Sequence, residues 1–208
     1  MGTYLDLINR IADESLRPDM ASQIRLCIQE AIAHHEVERY WFNQFRDRTF
    51  GTVAGREFYD GTDLSDIPDV LELDTVTIGN GGARLVLARS SYAELEAINA
   101  DGGARGQPTR YSYWGRMLRL YPIPDAVYAV RLSGLFKLPI LSADGDQNAW
   151  TSDAEDLIRY RAKSIFYSQY LRDDANAARA AALEGAAQER LAASTARRLA
   201  GGEIRPSL

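Results

Sequence analysis

The stretch "RMLRLYPIPDAVYAVRLSG", residues 116–134, indicates two β-strands joined by a proline-containing turn. Apolar and polar residues alternate on both sides of the prolines, which is typical of strands with one buried face. If the two strands form a hairpin, its register places Leu120 opposite Val130 and Leu118 opposite Leu132. The sequence therefore predicts a β domain around this hairpin.

The other face of the same hairpin carries an unfavourable pair of charges. The register that pairs the apolar residues also places Arg119 opposite Arg131. Like charges directly opposite each other on a sheet are destabilising. We therefore expect a compensating group to lie against this face.

Composition limits the class of protein. The chain has 208 residues, of which 46% are hydrophobic and 25% charged, and its formal net charge is −5. These values are typical of a soluble globular chain that is long enough for one large domain or two small ones. An acidic chain lacks the excess of lysine and arginine that sequence-independent DNA binding requires, which argues against DNA binding as the main function.

Cysteine content and hydropathy point to a soluble, unexported protein. Cys27 is the single cysteine, so no internal disulfide can form, and synthesis in the cytoplasm is expected. No apolar run approaches the roughly 18 residues of a membrane span. The N-terminal "MGTYLDLINR" lacks the basic and apolar regions of a signal peptide.

Changes of pattern along the chain predict its organisation. Helical spacing gives way to short alternating runs and then returns, and "GNGG" at 79–82 is a strong hairpin turn signal. The predicted fold class is α+β, with a split helical bundle formed by 1–45 and 150–200. A small antiparallel β domain, 46–149, is inserted between its halves, and 201–208 form an extended tail.

The predicted helices each have one face that we expect to be buried. Ser152 and Glu155 match a capping box that would begin the third of them. The predicted buried residues are Leu5, Ile8, Ile11 and Ala12 in the first helix, Ile24, Cys27, Ile28, Ala31, Ile32 and His35 in the second, and Leu157, Ile158, Arg161, Ala162, Ile165, Gln169 and Tyr170 in the third.

The last predicted helix, 175–199, is unusually rich in alanine. Eleven of residues 175–196 are alanine, and the larger apolar residues are Leu183, Leu191 and Leu199. Alanine favours helix but buries little volume. Such a helix suits a close approach to another surface, or it lies solvated at the edge of a bundle.

The histidines and the cysteine do not indicate a catalytic or metal site. His34 and His35 are adjacent on a helix and point about 100° apart, so we expect them not to bind one metal together. His35 lies on the apolar face and is predicted to be a hydrogen-bonded core residue. Cys27 is predicted to be a small buried hydrophobe. The sequence contains no nucleophile elbow and no phosphate-binding loop.

One stretch partly matches a calcium-binding loop. "DGDQNAWTSDAE", from Asp144 to Glu155, places Asp144, Asp146, Asn148 and Glu155 at positions 1, 3, 5 and 12 of such a loop. Position 6 is Ala149, where the loop requires glycine. The alternative is a turn rich in aspartate and asparagine that leads into a capped helix.

The acidic run "LSDIPDVLELD" does not bring carboxylates together by its spacing, and we interpret it as a solvated face. Its acidic residues are Asp63, Asp66, Asp69, Glu72 and Asp74, counting the residue just before the run. We therefore predict no enzyme, no cofactor and no bound metal.

Taken as a whole, the chain resembles the head-to-tail adaptor (connector) proteins of tailed bacteriophages and related gene-transfer particles. The resemblance covers most of residues 5–175 and rests on blocks in a fixed order. These blocks are "LINRIADESLRPDMASQIRLCIQEAIAHHEVERYWFNQ", "LSDIPDVLELDTVTI", "GQPTRYSYWGRMLRLYPIPDAVYAVRLSG" and "LSADGDQNAWTSDAEDLIRYRAKSIFYSQYLRDD".

The resemblance implies a structural role in the virion, at the junction of head and tail. Such adaptors form a ring, commonly of twelve copies, between the portal and the tail tube or nozzle, and genomic DNA passes through the bore. The β domain would meet the tail side, and acidic residues facing the bore would discourage DNA from binding there. The portal-binding segment would comprise Glu203, Ile204, Arg205, Pro206, Ser207 and Leu208.

The resemblance also suggests what lies against the paired arginines. Arg119 and Arg131 would face carboxylates of a neighbouring subunit or tail protein, with Tyr121 packing beside them. The alternative is an internal acid or a splayed, solvated geometry. Two rival functions remain: a calcium-dependent or carbohydrate-binding β module, and a hydrolase that gathers Asp66, Asp69 and a histidine in a pocket.

Overall fold

The computed structural model describes residues 2–61, 69–80 and 83–199. It contains helices together with antiparallel and mixed sheets, so the predicted α+β class is confirmed, as is the long C-terminal helix. The chain divides into two compact units, a helical unit of Met1–Phe42 with Leu138–Leu208 and a β unit of Asn43–Lys137.

The helical unit contains five α-helices in its described residues. They are α1 (Tyr4–Ser15), α2 (Ala21–His35), α4 (Ala149–Ser152), α5 (Glu155–Phe166) and α6 (Asp174–Leu199), with a 3₁₀ turn at Pro18–Met20 and a π-helical turn at Tyr167–Leu171. Helix α1 begins at a capping box, in which Thr3 accepts from the Asp6 amide and Asp6 accepts from the Thr3 amide.

The buried faces of the helices largely follow the predicted spacing. On α2, Ile24, Cys27, Ile28, Ala31 and His35 are buried as predicted. On α1 the prediction of Leu5 is wrong, because that side chain is 37% exposed and the face is formed by Tyr4, Leu7, Ile8, Ile11 and Ala12. On α5 the arginine in the core is Arg159, whereas the predicted Arg161 is partly exposed. The predictions of Gln169 and Tyr170 are wrong, because both are exposed in the π-helical turn that follows α5.

The predicted start of α5 is also wrong. Ser152 lies inside α4, where it cannot cap a following helix. Asn148 caps α4 instead, accepting from the Trp150 amide at 2.8 Å, and α5 begins at Glu155 after Ala154 without a side-chain cap. A short extra helix therefore takes the place of the predicted cap.

Helix α6 packs through small side chains, as its composition suggests. Its buried residues are Ala177, Ala180, Glu184, Ala187, Leu191 and Thr195. Leu183 and Leu199 are each 41% exposed, so only Leu191 of the three larger residues is in the core. Among the described residues, no helix has both the length and the apolar character needed to cross a lipid bilayer.

In the part of the β unit that the structure describes, two four-stranded sheets are accompanied by one helix. The strands are β1 (Gln44–Gly51), β2 (Phe58–Tyr59), β3 (Val70–Asn80), β4 (Ala83–Val86), β5 (Ala88–Arg89), β6 (Arg110–Trp114), β7 (Met117–Tyr121) and β8 (Ala129–Phe136), and the helix is α3 (Tyr92–Ile98). The first sheet has the order β1-β8-β3-β4 and the second β2-β7-β6-β5.

Two strand pairs bear directly on the sequence predictions. Strands β3 and β4 pair with Asn80 opposite Ala83, as the "GNGG" signal predicts. Strands β5 and β6 pair in parallel, so the second sheet is mixed, where an antiparallel domain was predicted.

The hairpin predicted for residues 116–134 does not form. Strand β7 pairs with β2 and β6, whereas β8 pairs with β1 and β3 in the other sheet. Leu118 and Leu120 face the same core as Val130 and Leu132, but from opposite sheets. The alternation correctly predicts which residues are buried, and it fails to predict which strands are neighbours.

One glycine is required where β8 pairs with β3. The register between these strands shifts near Leu73 and Gly134, which lie directly opposite each other. A Cβ atom at Gly134 would overlap the carbonyl oxygen of Glu72. The irregular pairing therefore depends on a residue without a side chain.

Candidate interaction surfaces

Arg119 is a buried cation on the second sheet, and its acidic partners are internal. It is 4% exposed in the middle of β7. Its Nε donates to Oε1 of Glu57 at 2.5 Å, and its Nη1 donates to Oε1 of Glu96 at 2.6 Å. Burial acts to lower the pKa of Arg119, but the hydrogen bonds and charges of the two glutamates outweigh it and raise that pKa.

Aromatic rings complete the surroundings of this guanidinium. Its central carbon lies 5.2 Å from the ring centroid of Phe58 and 5.1 Å from that of Tyr92. Asn99 donates to Glu57 at 3.3 Å, which holds that carboxylate in place. Of the two explanations left open by the sequence, an internal acid accounts for Arg119.

Arg119 and Arg131 do not face each other, so the predicted juxtaposition is wrong. In the second sheet Arg119 lies opposite Ser112 and Phe58. Arg131 lies in the first sheet, opposite Thr49 and Thr77, and is half-buried. The two strands belong to different sheets, and no pair of like charges needs compensation.

Tyr121 lies on the same face of β7 as Arg119, because residues two apart on a strand point the same way. It is half-buried opposite Arg110 at the end of the strand. The remaining predicted site residues, 203–208, lie outside the described residues.

A groove of about 440 Å³ opens on this face of the second sheet. Arg119 and Ser112, both buried, contribute to its lining together with exposed residues. Trp114 is 75% exposed, Tyr92 44% and Met117 41%. Exposed tryptophan, tyrosine and methionine side chains are enriched at protein–protein contacts.

The groove stands beside the tight turn between β6 and β7. Gly115 and Arg116 both have positive φ, 58° and 64°, which is typical of a two-residue hairpin turn. The turn brings Trp114 opposite Met117 at the end of the ladder. This surface was not predicted from the sequence, although "YWGRM" (113–117), in which large apolar residues flank a glycine turn, indicates it.

In the helical unit, His35 is part of a buried polar cluster. It is 1% exposed, and its Nε2 lies 3.0 Å from Oε1 of Glu184 on α6. Burial, with the charges of His34 and Arg161, lowers the pKa of His35 to about 4. A neutral His35 therefore donates a hydrogen bond to Glu184, which confirms the predicted hydrogen-bonded core residue.

The same cluster brings possible metal ligands closer than the sequence suggests. Ligand atoms of His34, His35 and Glu184 all lie within 4.8 Å of one another. Arg161 lies among them, with its Nη1 3.7 Å from Glu184 and its Nη2 3.5 Å from Nδ1 of His34. A guanidinium at this position disfavours a metal cation, so we interpret the cluster as a structural contact between helices.

Cys27 has the environment of a buried apolar residue. It is 1% exposed, and burial raises the pKa of its thiol to about 12. At neutral pH it is therefore protonated and unsuited to nucleophilic attack.

The partial calcium motif is used for other contacts. Asp144 forms an ion pair with Arg25, and Glu155 forms one with Arg10 at 2.6 Å. Asp146 accepts from the backbone amides of Ser142 and Ala143, which lowers its pKa. Asn148 caps α4, so the stretch forms a turn that leads into a capped helix. This is the alternative to a calcium loop that the sequence left open.

Comparison with known proteins gives the chain its family. A search of the curated proteins found no match. The family model described as SU10 adaptor protein matches residues 2–206, which is nearly the whole chain. This agrees with the resemblance found in the sequence. The chain therefore belongs to the SU10 adaptor protein family, a family of phage head-to-tail adaptors.

Proposed function

We propose that this phage virion component forms a ring that joins the portal to the tail and lets DNA pass through its channel. The observation that carries the proposal is the family match over residues 2–206. The ring would contain about twelve copies by analogy with adaptors. The protein would act through its surfaces and would need neither a cofactor nor a catalytic site.

The groove on the second sheet supports a role in assembly. In a ring each subunit presents two different surfaces, one to each neighbour, and other faces meet unlike partners. Trp114, Met117 and Tyr92 give the β unit an exposed apolar surface, and Arg119 beneath them is held rigidly by two carboxylates. Together with Tyr121 on the same face, these residues form our proposed subunit or tail interface. Arg131, on the other sheet, would belong to a separate contact.

The helical domain, 1–45 with 150–200, and the inserted β domain, 46–149, would have separate partners. The β domain would meet the tail side. Residues 203–208 would reach the portal as an extended segment that adds to a sheet edge or lies in a groove. Acidic residues facing the bore would keep DNA from adhering during its passage.

Electron microscopy of the protein mixed with its portal tests this function. We expect a stacked ring on the narrow end of the portal. Trp114→Ala with Met117→Ala should weaken the ring or its attachment to the tail, while the melting temperature stays close to that of the parent. Val127→Ala is a matched control, because Val127 is also exposed, at 73%, but does not line the groove. A portal that stays bare with the parent protein would rule out the adaptor function.

A further inference from the structure

The first sheet of the β unit has two open edges, formed by β1 and β4. Within the described part of the chain, each of these strands pairs on one side only, β1 with β8 and β4 with β3. All four residues of β4 are exposed, and they include two large apolar side chains, Leu85 at 44% and Val86 at 63%. An exposed edge strand with apolar side chains is a template for pairing with another chain.

On β4 the backbone groups that point away from the sheet belong to Arg84 and Val86. The amide of Leu87, the residue after β4, donates to the carbonyl oxygen of Val76 on β3 at 2.8 Å. Successive residues of a strand direct their N–H and C=O groups to opposite sides, so Leu85 also faces β3. The N–H and C=O groups of Arg84 and Val86 are therefore directed at the open edge.

On β1 the outward backbone groups belong to Thr49 and Gly51. The amide of Thr52, the residue after β1, donates to the carbonyl oxygen of Tyr128, the residue before β8, at 2.9 Å. Thr52 therefore faces β8, as does Phe50 two residues earlier. Thr49 and Gly51 direct their groups to the opposite side. Each edge of the sheet thus presents two N–H and two C=O groups with the same spacing.

The outward residues of the two edges lie at the ends of two rows that cross the sheet. Thr49 and Val86 end one row, and Gly51 and Arg84 end the next. Because the sheet has four strands and all of them are antiparallel, its two edge strands run in opposite directions. A second copy placed beside the first in the same orientation therefore brings its β1 antiparallel to β4 and continues both rows.

The regular part of each edge is short, and the two parts are equal in length. Strand β4 has four residues, and the shift of register between Phe45 and Arg48 leaves four residues of β1, 48–51, in regular pairing after it. Short edge strands and bulges are devices that prevent indiscriminate edge pairing. Here they restrict pairing to two stretches that match each other.

We infer that β4 of one copy pairs antiparallel with β1 of the next copy, which joins the first sheets of neighbouring subunits into one. The inference rests on the proposed ring, because a contact between two different edges is a head-to-tail contact that can close a ring. None of the opposed residues brings like charges together, and the exposed Leu85 and Val86 become covered. The opposed residues are Val86 with Thr49, Leu85 with Phe50 and Arg84 with Gly51.

A contact between two β4 edges is a weaker match. Such a contact is symmetric, so it closes a dimer and leaves the β1 edge of both copies open. A dimer of this kind cannot surround a channel for DNA. Pairing of β4 with β1 uses both edges of every copy, and it leaves no edge open once the ring is closed.

Paired cysteines test this contact in rings assembled on the portal. Thr49→Cys with Val86→Cys in one chain places two thiols opposite each other across the contact, where a Cα–Cα separation of about 5.5 Å suits a disulfide. We expect oxidation to give a ladder of covalent oligomers on a non-reducing gel. The two cysteines cannot join within one copy, because they lie on opposite edges of the sheet, about 14 Å apart. The native Cys27 is buried.

Two variants serve as controls for the ladder. Thr49→Cys with Leu85→Cys should give none, because these side chains point to opposite faces of the sheet. Val86→Cys alone should remain a monomer on the gel. A covalent dimer of Val86→Cys would show that β4 pairs with β4, and it would overturn the inference.

Val86→Pro gives a second readout, by electron microscopy with the portal. The amide of Val86 points to the open edge, so proline removes no hydrogen bond of the sheet, and we expect a melting temperature close to that of the parent. Rings should be at least tenfold fewer, because proline removes a donor of the contact. Equal rings with this variant, and no ladder with the paired cysteines, would overturn the inference, although the proposed function stands. Absence of rings with the parent protein would instead contradict the proposed function.

Discussion

Arg119 has acidic partners that come from distant parts of the sequence. Glu57 precedes it by 62 residues and Glu96 by 23. An arginine on the polar side of an alternating strand is ordinarily taken to face solvent. No sequence pattern connects it to either glutamate, because the contact exists only after α3 and the segment before β2 have packed against the sheet. The sequence therefore could not predict that Arg119 is a buried cation, although it did predict that Arg119 lies on a strand.

Replacing Arg119 should destabilise the β unit. In Arg119→Met the side-chain volume is largely kept, but Glu57 loses the cation that compensates its burial. We expect the free energy of unfolding to fall by about 2–3 kcal/mol. This is no more than the usual cost of breaking a buried ion pair, because one of the two partners, Glu96, is half-exposed. Urea denaturation measures this loss, and Arg116→Met is the control because its side chain is 76% exposed. Equal stability of the two variants would show that the ion pairs contribute nothing.

His35 should make stability depend on pH in the acidic range. The pKa of His35 is about 4 in the folded chain, below the ordinary value of about 6.5. The unfolded chain therefore binds the proton first, and stability falls as the pH drops from about 6.5 to about 4. The full effect is about 3 kcal/mol. The groups that face His35 are His34, Glu38, Arg161 and Glu184.

Urea unfolding at several pH values between 4.5 and 7 measures this effect. His35→Gln should flatten the pH dependence in that window, whereas His34→Gln, on the exposed neighbour, should retain it. A parent protein that becomes more stable on acidification would mean that His35 is charged and paired with Glu184.

At the scale of elements, alternation and helical spacing predict burial better than they predict partners. The face of α2 follows from its spacing, because one helix packs with one stripe inward. The strands β7 and β8 show the limit: each has its buried residues where predicted, yet they lie in different sheets. Any strand of a two-sheet core satisfies the same alternation. Strand pairing depends on the path of the connecting segments. The segment after Tyr121 leads from the second sheet, which contains β7, to the first sheet, which contains β8.

The start of the C-terminal helices gives a test that separates the predicted cap from the observed one. Asn148→Ala removes the side chain that accepts from the Trp150 amide, and we expect a loss of about 1 kcal/mol. Ser152→Ala, at the predicted cap, should change stability by a few tenths of a kcal/mol, because Ser152 lies within α4. Thermal unfolding of both variants measures the difference. A larger loss in Ser152→Ala would mean that the helix begins where the sequence pattern placed it.

At the scale of the whole molecule, each unit carries a surface that its own folding does not explain. The β unit exposes Trp114 and Met117 beside a buried arginine that is paired with two glutamates. The helical unit has a groove lined by charged side chains of both signs, Glu14, Lys163 and Arg179, together with two tyrosines. A protein that acts by assembly requires unlike surfaces of this kind, because each face selects one neighbour. Composition excludes whole classes of function. It cannot predict where on the surface the charged side chains lie, since that depends on how the helices and strands pack.

The C-terminal segment gives the last prediction. Deleting residues 201–208 should abolish binding to the portal while the melting temperature stays within about 2 °C of the parent, since within the described residues the buried hydrophobic core of the helical unit includes none after Leu191. A chain of equal length in which glycine and serine replace residues 203–208 is the matched control, and it should also fail to bind because length alone supplies no contacts. Electron microscopy with the portal and differential scanning calorimetry give the two readouts. A drop of many degrees would make the segment part of the fold, and a truncated chain that still stacks on the portal would place the portal contact elsewhere on the subunit.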